Sequence, residues 1–295
     1  MQLHAGCAHL LESAIAVTSL TDTLRAFVKD GRKKAIRKKL PGGATIRRRM
    51  DRLTRTSIVL PVACVALLAC GACAKPASGQ TGASKVLFIG DSFTYTQGGL
   101  WTHFTELAAA ANPPRSVTTD KAVQGGAFLK VLWELETPVK AIDTGNFDVV
   151  VLQDDIPETN PDYFKEYARK FVNEVRKNHA RPVLLMAWAY DRLGWITMDE
   201  IATLHRDLGK ELGVDVAPVG LAWQRSMAQR PQLDMYAGDR EHESIHGMYL
   251  AACVLYATVY DADPTGLKYA PSGVSRDDAQ FLQKIAWDTM REYTK

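Results

Sequence analysis

Residues 239–247, DREHESIHG, contain the residue types for two different hydrolytic chemistries. Within them, HESIH matches the H-E-x-x-H pattern, in which two histidines one helical turn apart bind zinc and the glutamate acts as the base. The preceding DREH places Asp239 three residues before His242, a spacing at which an aspartate orients a catalytic imidazole toward a serine. The first interpretation uses His242 and His246 as metal ligands, whereas the second uses His242 alone as a general base.

A serine at the end of the first apolar run would supply the nucleophile for the second interpretation. The run VLFIG, residues 86–90, leads directly into Asp91 and Ser92. A small polar residue at the carboxyl end of a first parallel strand lies in the crevice where such folds bind ligands. Backbone amides at this turn can hold negative charge, so Ser92 could attack an ester carbonyl while its own amide stabilises the oxyanion. The structural alternative is that Asp91 or Ser92 only caps the following helix.

The elements that position these residues alternate from residue 85 onward. Short apolar runs predict the strands 86–90, 115–123, 148–153, 181–190 and 214–220. Longer amphipathic or apolar runs predict the helices 100–112, 127–135, 161–178, 198–212, 247–260 and 277–293. The alternation, with no loop long enough to separate two domains, predicts one α/β domain over 85–295 with a doubly wound, mainly parallel sheet.

Two stretches resemble the SGNH, or GDSL, family of serine esterases. F-I-G-D-S-F-T, residues 88–94, is similar to the first block of a bacterial branch with G-[ND]-S-F-T, and H-E-S-I-H-G-M-Y-L is similar to the segment around the family's catalytic histidine. The resemblance covers residues 85 to about 255. It implies a three-layer α/β/α sandwich with a flavodoxin-like sheet, a catalytic triad of Ser92, His242 and Asp239, an acyl-enzyme, and no metal or organic cofactor.

The resemblance also assigns the groups that would hold the oxyanion. They are the backbone amide of Ser92, a glycine after the second strand, and an amide side chain after the third strand. AVQGGAF supplies Gly126 for the glycine, although a glycine pair is also typical of a turn with positive φ. The third strand ends in VLQDD instead of the family's asparagine. Because an ionised carboxylate cannot donate a hydrogen bond, we assign the third donor to Gln153 and not to Asp154 or Asp155.

Other side chains near the predicted crevice are candidates for substrate binding. Trp188 and Tyr190 follow the fourth strand, where aromatic rings could stack on a sugar, and the alternative is packing in the core. We assign both, together with Asp91, to substrate binding. Three further histidines are predicted to lie on polar, solvated helix faces: His103, His179 and His205.

The zinc interpretation lacks a third ligand. No histidine follows His246, and Tyr249 and Ala252 stand where the extended zinc-protease pattern has its glycine and third histidine. We therefore favour a serine ester hydrolase. The family resemblance and the predicted export imply an acetyl or another short acyl group on a carbohydrate or another small molecule, and lipid esters and acyl transfer to a sugar remain as alternatives. The alternatives are a zinc-dependent hydrolase and a non-catalytic glycan-binding module on the same fold.

The N-terminal region has a different composition. Residues 1–84 carry 14 Lys and Arg against 4 Asp and Glu, a formal charge of +10, whereas residues 85–295 carry −7. The net positive charge is confined to residues 1–84, so we predict no nucleic-acid partner. Residues 50–74 are typical of a signal peptide or lipoprotein signal, which follows a basic leader at 1–49 that an over-extended gene start would explain. Residues 75–84 read as a flexible linker.

These features predict an exported protein: periplasmic, attached to the outer membrane through an N-terminal lipid, or secreted. Four of the five cysteines lie in residues 1–84, so only Cys253 belongs to the predicted domain. It lies in an apolar run and is predicted to be a buried structural thiol.

Overall fold

The computed structural model describes residues 83–156, 158–190, 192 and 194–294. The predictions for the leader, the signal and nearly all of the linker lie outside the described residues. Within the described part of the chain, no helix is both long and apolar enough to cross a membrane.

The strands form one parallel sheet. They are β1 (Lys85–Gly90), β2 (Thr118–Val123), β3 (Val149–Gln153), β4 (Arg181–Leu185) and β5 (Asp215–Ala217). Their order is β2-β1-β3-β4-β5, the flavodoxin-like order, in which ligands bind at the carboxyl edge between β1 and β3. The predicted parallel sheet is confirmed.

Helices cover both faces of this sheet. They are α1 (Ser92–Tyr95), α2 (Leu100–Ala109), α3 (Leu129–Glu134), α4 (Thr137–Gly145), α5 (Pro161–Lys177), α6 (Met198–Leu212), α7 (Val219–Gln229), α8 (Ile245–Tyr260) and α9 (Arg276–Tyr293). One apolar core joins α2, α7, α8 and α9 to the sheet, and the other joins α3, α4, α5 and α6 to its opposite face. The predicted three-layer α/β/α sandwich is confirmed.

The central strand β1 shows why these segments form strands. Val86 and Phe88 belong to one core and Leu87 and Ile89 to the other, and none of the four has any exposed surface. Because successive side chains of a strand point to opposite faces, a strand that is covered on both faces is apolar at every position. The apolar residues of β1 therefore lie in the interior. The carboxyl end of the strand reaches the edge of the sheet.

Several elements differ from the sequence prediction. The helices α1, α4 and α7 were not predicted. The strand β2 begins at Thr118 instead of residue 115, β4 ends at Leu185 instead of residue 190, and β5 ends at Ala217 instead of residue 220. Leu185 pairs with Gln153, the last residue of β3, and with Ala217, the last residue of β5. The Met186 amide still donates to the Ala217 carbonyl at 3.0 Å, whereas residues 187–190 continue past the last residues of β3 and β5 and leave the sheet.

The helix α8 follows directly after the DREHESIHG motif. The side chain of Ser244 caps it by accepting hydrogen bonds from the amides of His246 and Gly247, each at 3.2 Å. Almost all of its residues from Gly247 onward are buried, including Cys253, whose pKa is raised by burial. The prediction of a buried thiol at Cys253 is confirmed.

A close contact at Gly247 fixes the start of α8. A Cβ atom there would lie 2.4 Å from the carbonyl oxygen of Met235 and 2.6 Å from the Trp223 ring. We expect Gly247→Ala to lower the free energy of unfolding by about 1–3 kcal/mol, because a backbone atom must move to admit the methyl group. Urea unfolding measures the change, with Gly194→Ala as the control, since a Cβ at Gly194 would meet nothing within 4 Å. Equal stability of the two variants would contradict this packing.

Candidate active site

The turn after β1 presents Ser92 at the carboxyl edge of the sheet. Asp91 caps α1, because its Oδ1 accepts a hydrogen bond of 2.9 Å from the Phe93 amide. The side chain of Asp91 is buried, whereas Ser92 is partly exposed. The capping alternative therefore holds for Asp91, and it leaves the neighbouring Ser92 hydroxyl at the opening of the crevice.

The structure brings Ser92, His242 and Asp239 together. The Ser92 Oγ lies 2.8 Å from His242 Nε2, and His242 Nδ1 lies 2.7 Å from Asp239 Oδ2. Because a carboxylate only accepts, Nδ1 carries the proton and Nε2 is free to accept from the serine hydroxyl. Both distances suit a serine nucleophile, its general base and an orienting carboxylate.

Asp239 is held in place by its own short turn. Its Oδ1 accepts hydrogen bonds from the amides of Glu241, at 3.1 Å, and His242, at 3.0 Å. Partial burial acts to raise the pKa of Asp239, but these hydrogen bonds and the one from the His242 ring outweigh it and keep the pKa below its usual range. The aspartate is therefore ionised at neutral pH and can stabilise an imidazolium.

The segment that carries His242 is closed at its base. Tyr236 and Glu243 form an isolated antiparallel bridge, and the Ala237 amide donates to the His242 carbonyl at 2.7 Å. From the core side, the Trp188 indole donates to the Glu241 carbonyl at 2.9 Å. The backbone around His242 is thus fixed from both sides before any substrate is present.

Trp188 and Tyr190 lie in the core and not on the surface of the crevice, which corrects the prediction of direct substrate contact. Trp188 is 1% exposed and stacks on Trp223 at 4.0 Å, and Tyr190 is 4% exposed. Phe93 packs between their rings and the edge of His242, with centroid distances of 4.7 Å to Trp188 and 5.5 Å to His242. These aromatic rings support the histidine from behind. Asp91, the third predicted contact, is 1% exposed and equally inaccessible.

The two other predicted oxyanion donors, Gly126 and Gln153, differ in exposure. Gly126 is exposed and has a φ of +65°, a backbone conformation that favours glycine, and the described residues place no atom within 4 Å of where a Cβ would lie. Gln153 is fully buried beneath the turn, where its Oε1 accepts a hydrogen bond of 2.9 Å from the Asp91 amide. Its Nε2 is also buried and has no hydrogen bond of normal geometry. In this orientation Gln153 supports the serine turn and does not face the crevice, so the structure gives its assignment as oxyanion donor no support.

Four buried carboxyl groups surround the triad. Burial raises the pKa of Asp91 to about 6 and that of Glu243 to about 7. Burial, with the negative charge of Asp91 as the next cause, raises the pKa of both Asp154 and Asp155 to about 8. Tyr190 donates to Asp155 at 3.1 Å, whereas neither oxygen of Asp154 has a hydrogen bond of normal geometry within the described part of the chain. Asp154 and Asp155 therefore hold protons at neutral pH, because an unpaired charge is costly in the interior.

The geometry does not favour zinc binding by HESIH. The helix begins at Ile245, so His242 lies in the preceding turn and does not share a helical face with His246. Both ring nitrogens of His242 are already bonded to Asp239 and Ser92. Among the residues that the structure describes, no three His, Cys, Asp or Glu side chains are grouped so that they could hold a metal ion.

The predicted solvation of the helical histidines is wrong for two of them. His103 is 5% exposed and lies between the Gln97 carbonyl and the Tyr269 hydroxyl. His205 has no exposed surface, and burial lowers its pKa to about 4. Only His179 is exposed, as predicted. The sequence pattern did not predict the burial of His103 and His205, because neighbouring elements cover more of their helices than the apolar face alone.

Asp154 should make stability depend on pH. Its folded pKa is raised to about 8, so the native state keeps a proton that the unfolded chain loses near pH 4. The stability from this group is therefore complete below pH 4 and is lost as the pH rises through about 8. Because asparagine does not titrate, we expect the stability of Asp154→Asn relative to wild type to rise by on the order of 4 kcal/mol between pH 5 and pH 9.

Urea unfolding at several pH values measures this gain. Asp162→Asn is the control, since that side chain is 89% exposed. A constant difference between wild type and Asp154→Asn across this pH range would show that Asp154 titrates normally.

Comparisons with known proteins identify the fold. No model of a protein family matches the sequence, and no curated protein matches it significantly. Among solved structures, the chain is similar to a DUF4886 family protein from Bacteroides uniformis, with a TM-score of 0.59 and 19% identity, covering 72% of this chain and 97% of that one. It is also similar to an acetylxylan esterase from Geobacillus stearothermophilus, with a TM-score of 0.51 and 18% identity, covering 65% of this chain and 99% of that one.

A third similar structure is a candidate SGNH hydrolase from Slackia heliotrinireducens, with a TM-score of 0.50 and 23% identity, covering 60% of this chain and 99% of that one. The parallel five-stranded sheet and its two helical layers are common to this group. The described part of the chain therefore has the SGNH hydrolase fold, as its sequence blocks predicted.

Proposed function

We propose that this protein is a serine ester hydrolase that acts through an acyl-enzyme. The observation that carries the proposal is the continuous hydrogen-bonded relay from Ser92 through His242 to Asp239, with links of 2.8 Å and 2.7 Å. Its serine lies at the carboxyl edge of β1, where this fold class binds ligands. The similarity to an acetylxylan esterase agrees with ester chemistry on this fold.

The geometry suits a two-step reaction. His242 Nε2 accepts the Ser92 proton as Oγ attacks the carbonyl carbon, and Asp239 stabilises the imidazolium. When the tetrahedral intermediate collapses, the C–O bond breaks and His242 returns the proton to the leaving alcohol. Water then attacks the acyl-enzyme by the same route and releases the acid. The amides of Ser92 and Gly126 are the proposed oxyanion donors.

The substrate is proposed to carry a short acyl group. The His242 and Asp239 side chains are 28% and 51% exposed, so the reacting groups lie near the surface. The aromatic rings behind them are packed against one another, so there is little room for an apolar pocket that could hold a long acyl chain. An acetyl ester of a carbohydrate or another small alcohol fits such a shallow site, and the export predicted from residues 50–74 would bring the enzyme to extracellular carbohydrate.

Loss of the nucleophile should abolish turnover. We expect Ser92→Ala to lower kcat for p-nitrophenyl acetate by at least about 1,000-fold, because no other group can form the acyl-enzyme. A fluorophosphonate should label wild type once and leave Ser92→Ala unlabelled. His246→Ala serves as the matched control and should retain near wild-type turnover, with EDTA without effect.

Two results would contradict the proposal. Loss of activity in His246→Ala together with EDTA sensitivity would favour the zinc-dependent hydrolase. Normal glycan binding by Ser92→Ala, with no ester turnover in wild type, would favour the non-catalytic module.

The orienting role of Asp239 is separately testable. Asp239→Asn keeps the size of the side chain but favours the wrong imidazole tautomer, so we expect kcat to fall by on the order of 100-fold or more while KM changes little. Steady-state kinetics on p-nitrophenyl acetate measure both constants. Asp234→Asn, at an exposed carboxyl near the same loop, is the control. Unchanged kcat in Asp239→Asn would mean that the aspartate only shapes the turn.

A further inference from the structure

Two segments must meet for the triad to form. We call residues 92–98 the serine segment and residues 236–244 the histidine segment. The contact between Ser92 Oγ and His242 Nε2 is a single hydrogen bond, and one such bond contributes only about 1 kcal/mol to holding two segments together. A reactive distance that is maintained before substrate binds therefore needs further connections between the segments.

Glu243 supplies such connections. Its Oε1 accepts a hydrogen bond from the Thr96 hydroxyl, and its backbone carbonyl accepts one of 3.2 Å from the Gln97 side-chain amide. Glu243 follows His242 directly in the chain, and Thr96 lies four residues after Ser92. The two segments are thus joined a second time, close to the reacting atoms.

Both partners of this connection are themselves fixed. On the serine side, Gln97 has a φ of +49°, and its carbonyl oxygen lies 2.8 Å from Nε2 of His103. His103 is held in turn by the Tyr269 hydroxyl at 2.7 Å from Nδ1. On the histidine side, Glu243 pairs with Tyr236 in the antiparallel bridge. Glu243 therefore connects two preorganised parts and is not a loose surface contact.

Stability alone does not explain a carboxyl group at this position. Glu243 has no exposed surface, and burial raises its pKa to about 7. Its Oε2 has no hydrogen-bond partner among the residues that the structure describes. Burying a carboxyl with one unsatisfied oxygen costs free energy that an apolar side chain of similar size would avoid. What an apolar side chain could not supply is the acceptor for Thr96.

We propose that Glu243 is a positioning residue: by accepting a hydrogen bond from the Thr96 hydroxyl, its buried carboxyl sets the separation between the Ser92 hydroxyl and the His242 imidazole. This inference rests on the proposed function of the same site. It also accounts for the glutamate of HESIH, which on the zinc interpretation would be a base for metal-bound water. Here that glutamate contacts neither substrate nor metal and acts through the backbone of its neighbour.

The test uses the full chain with two pairs of variants. Glu243→Met and Thr96→Val remove the hydrogen bond, whereas Glu243→Gln and Thr96→Ser retain an acceptor and a hydroxyl. Thr258→Val is the matched control, since Thr258 is a buried threonine on α8 whose hydroxyl bonds only to the Val254 carbonyl. Turnover of p-nitrophenyl acetate is expressed per serine labelled by fluorophosphonate, so that misfolded protein does not count.

We expect Glu243→Met and Thr96→Val each to lower kcat by on the order of 10-fold with KM unchanged, since displacements of about 1 Å can cost 100-fold. The double variant should be no worse than either single variant, because both remove the same bond. Glu243→Gln, Thr96→Ser and Thr258→Val should stay within about 3-fold of wild type. If Glu243→Met fails to fold, Thr96→Val and its serine counterpart carry the comparison.

A second measurement does not depend on turnover. In protein labelled with ¹⁵N-histidine, the ring nitrogens of His242 should report a fixed Nδ1–H tautomer in wild type, Glu243→Gln and Thr96→Ser, and tautomer exchange in Glu243→Met and Thr96→Val. Unchanged His242 signals in the latter two, wild-type kcat per labelled serine, or additive losses would overturn the inference. Inactivity of Glu243→Gln would also overturn it, since it would show that the charge acts as a base. If wild type neither turns over ester nor is labelled, the proposed function fails, and the NMR comparison still decides the positioning role.

Discussion

The hydrogen bond between Ser92 and His242 is the interaction on which the site depends, and it joins residues 150 positions apart in the chain. Neither segment alone could place its group. The serine is fixed because β1 is buried on both faces and ends at the edge of the sheet, so the turn that Asp91 caps can project in one direction only. The imidazole is fixed because Ser244 caps the start of α8 and the preceding turn is bridged at its base. The fold thus brings two segments that are distant in the sequence to one crevice.

The price of this arrangement is the burial of acidic groups around the crevice. Asp91, Asp154, Asp155 and Glu243 are all nearly inaccessible, and burial raises the pKa of each. Asp239 differs, since hydrogen bonds hold its pKa down and keep it charged. The site therefore keeps Asp239 ionised beside the imidazole, whereas Asp154 and Asp155 hold protons at neutral pH. Asp154 and Asp155 therefore add little negative charge to the interior around the triad.

Much of the fold was predictable from sequence, because strands covered on both faces become continuous apolar runs and amphipathic helices repeat with their own period. VLFIG and DVVVLQ were recognised for this reason, and the helix 198–212 was predicted with the bounds that the structure shows. The prediction that Ser92 lies beside Asp239 and His242 came from the resemblance to the SGNH family and not from a local sequence pattern. The burial of Trp188 and Tyr190, the downward orientation of Gln153 and the contact of Glu243 with Thr96 were not predictable, because each depends on which distant segment packs against it. A sequence pattern indicates which positions of one segment are buried. It does not indicate which distant segment packs against them.

The most direct test of the account is a crystal structure of the protein after reaction with a fluorophosphonate. The account predicts phosphorus bonded to Ser92 Oγ, the phosphoryl oxygen within hydrogen-bonding distance of the Ser92 and Gly126 amides, and His242 Nε2 beside the ester oxygen. An adduct on another side chain, or a zinc ion bound by His242 and His246 with Ser92 unmodified, would contradict it.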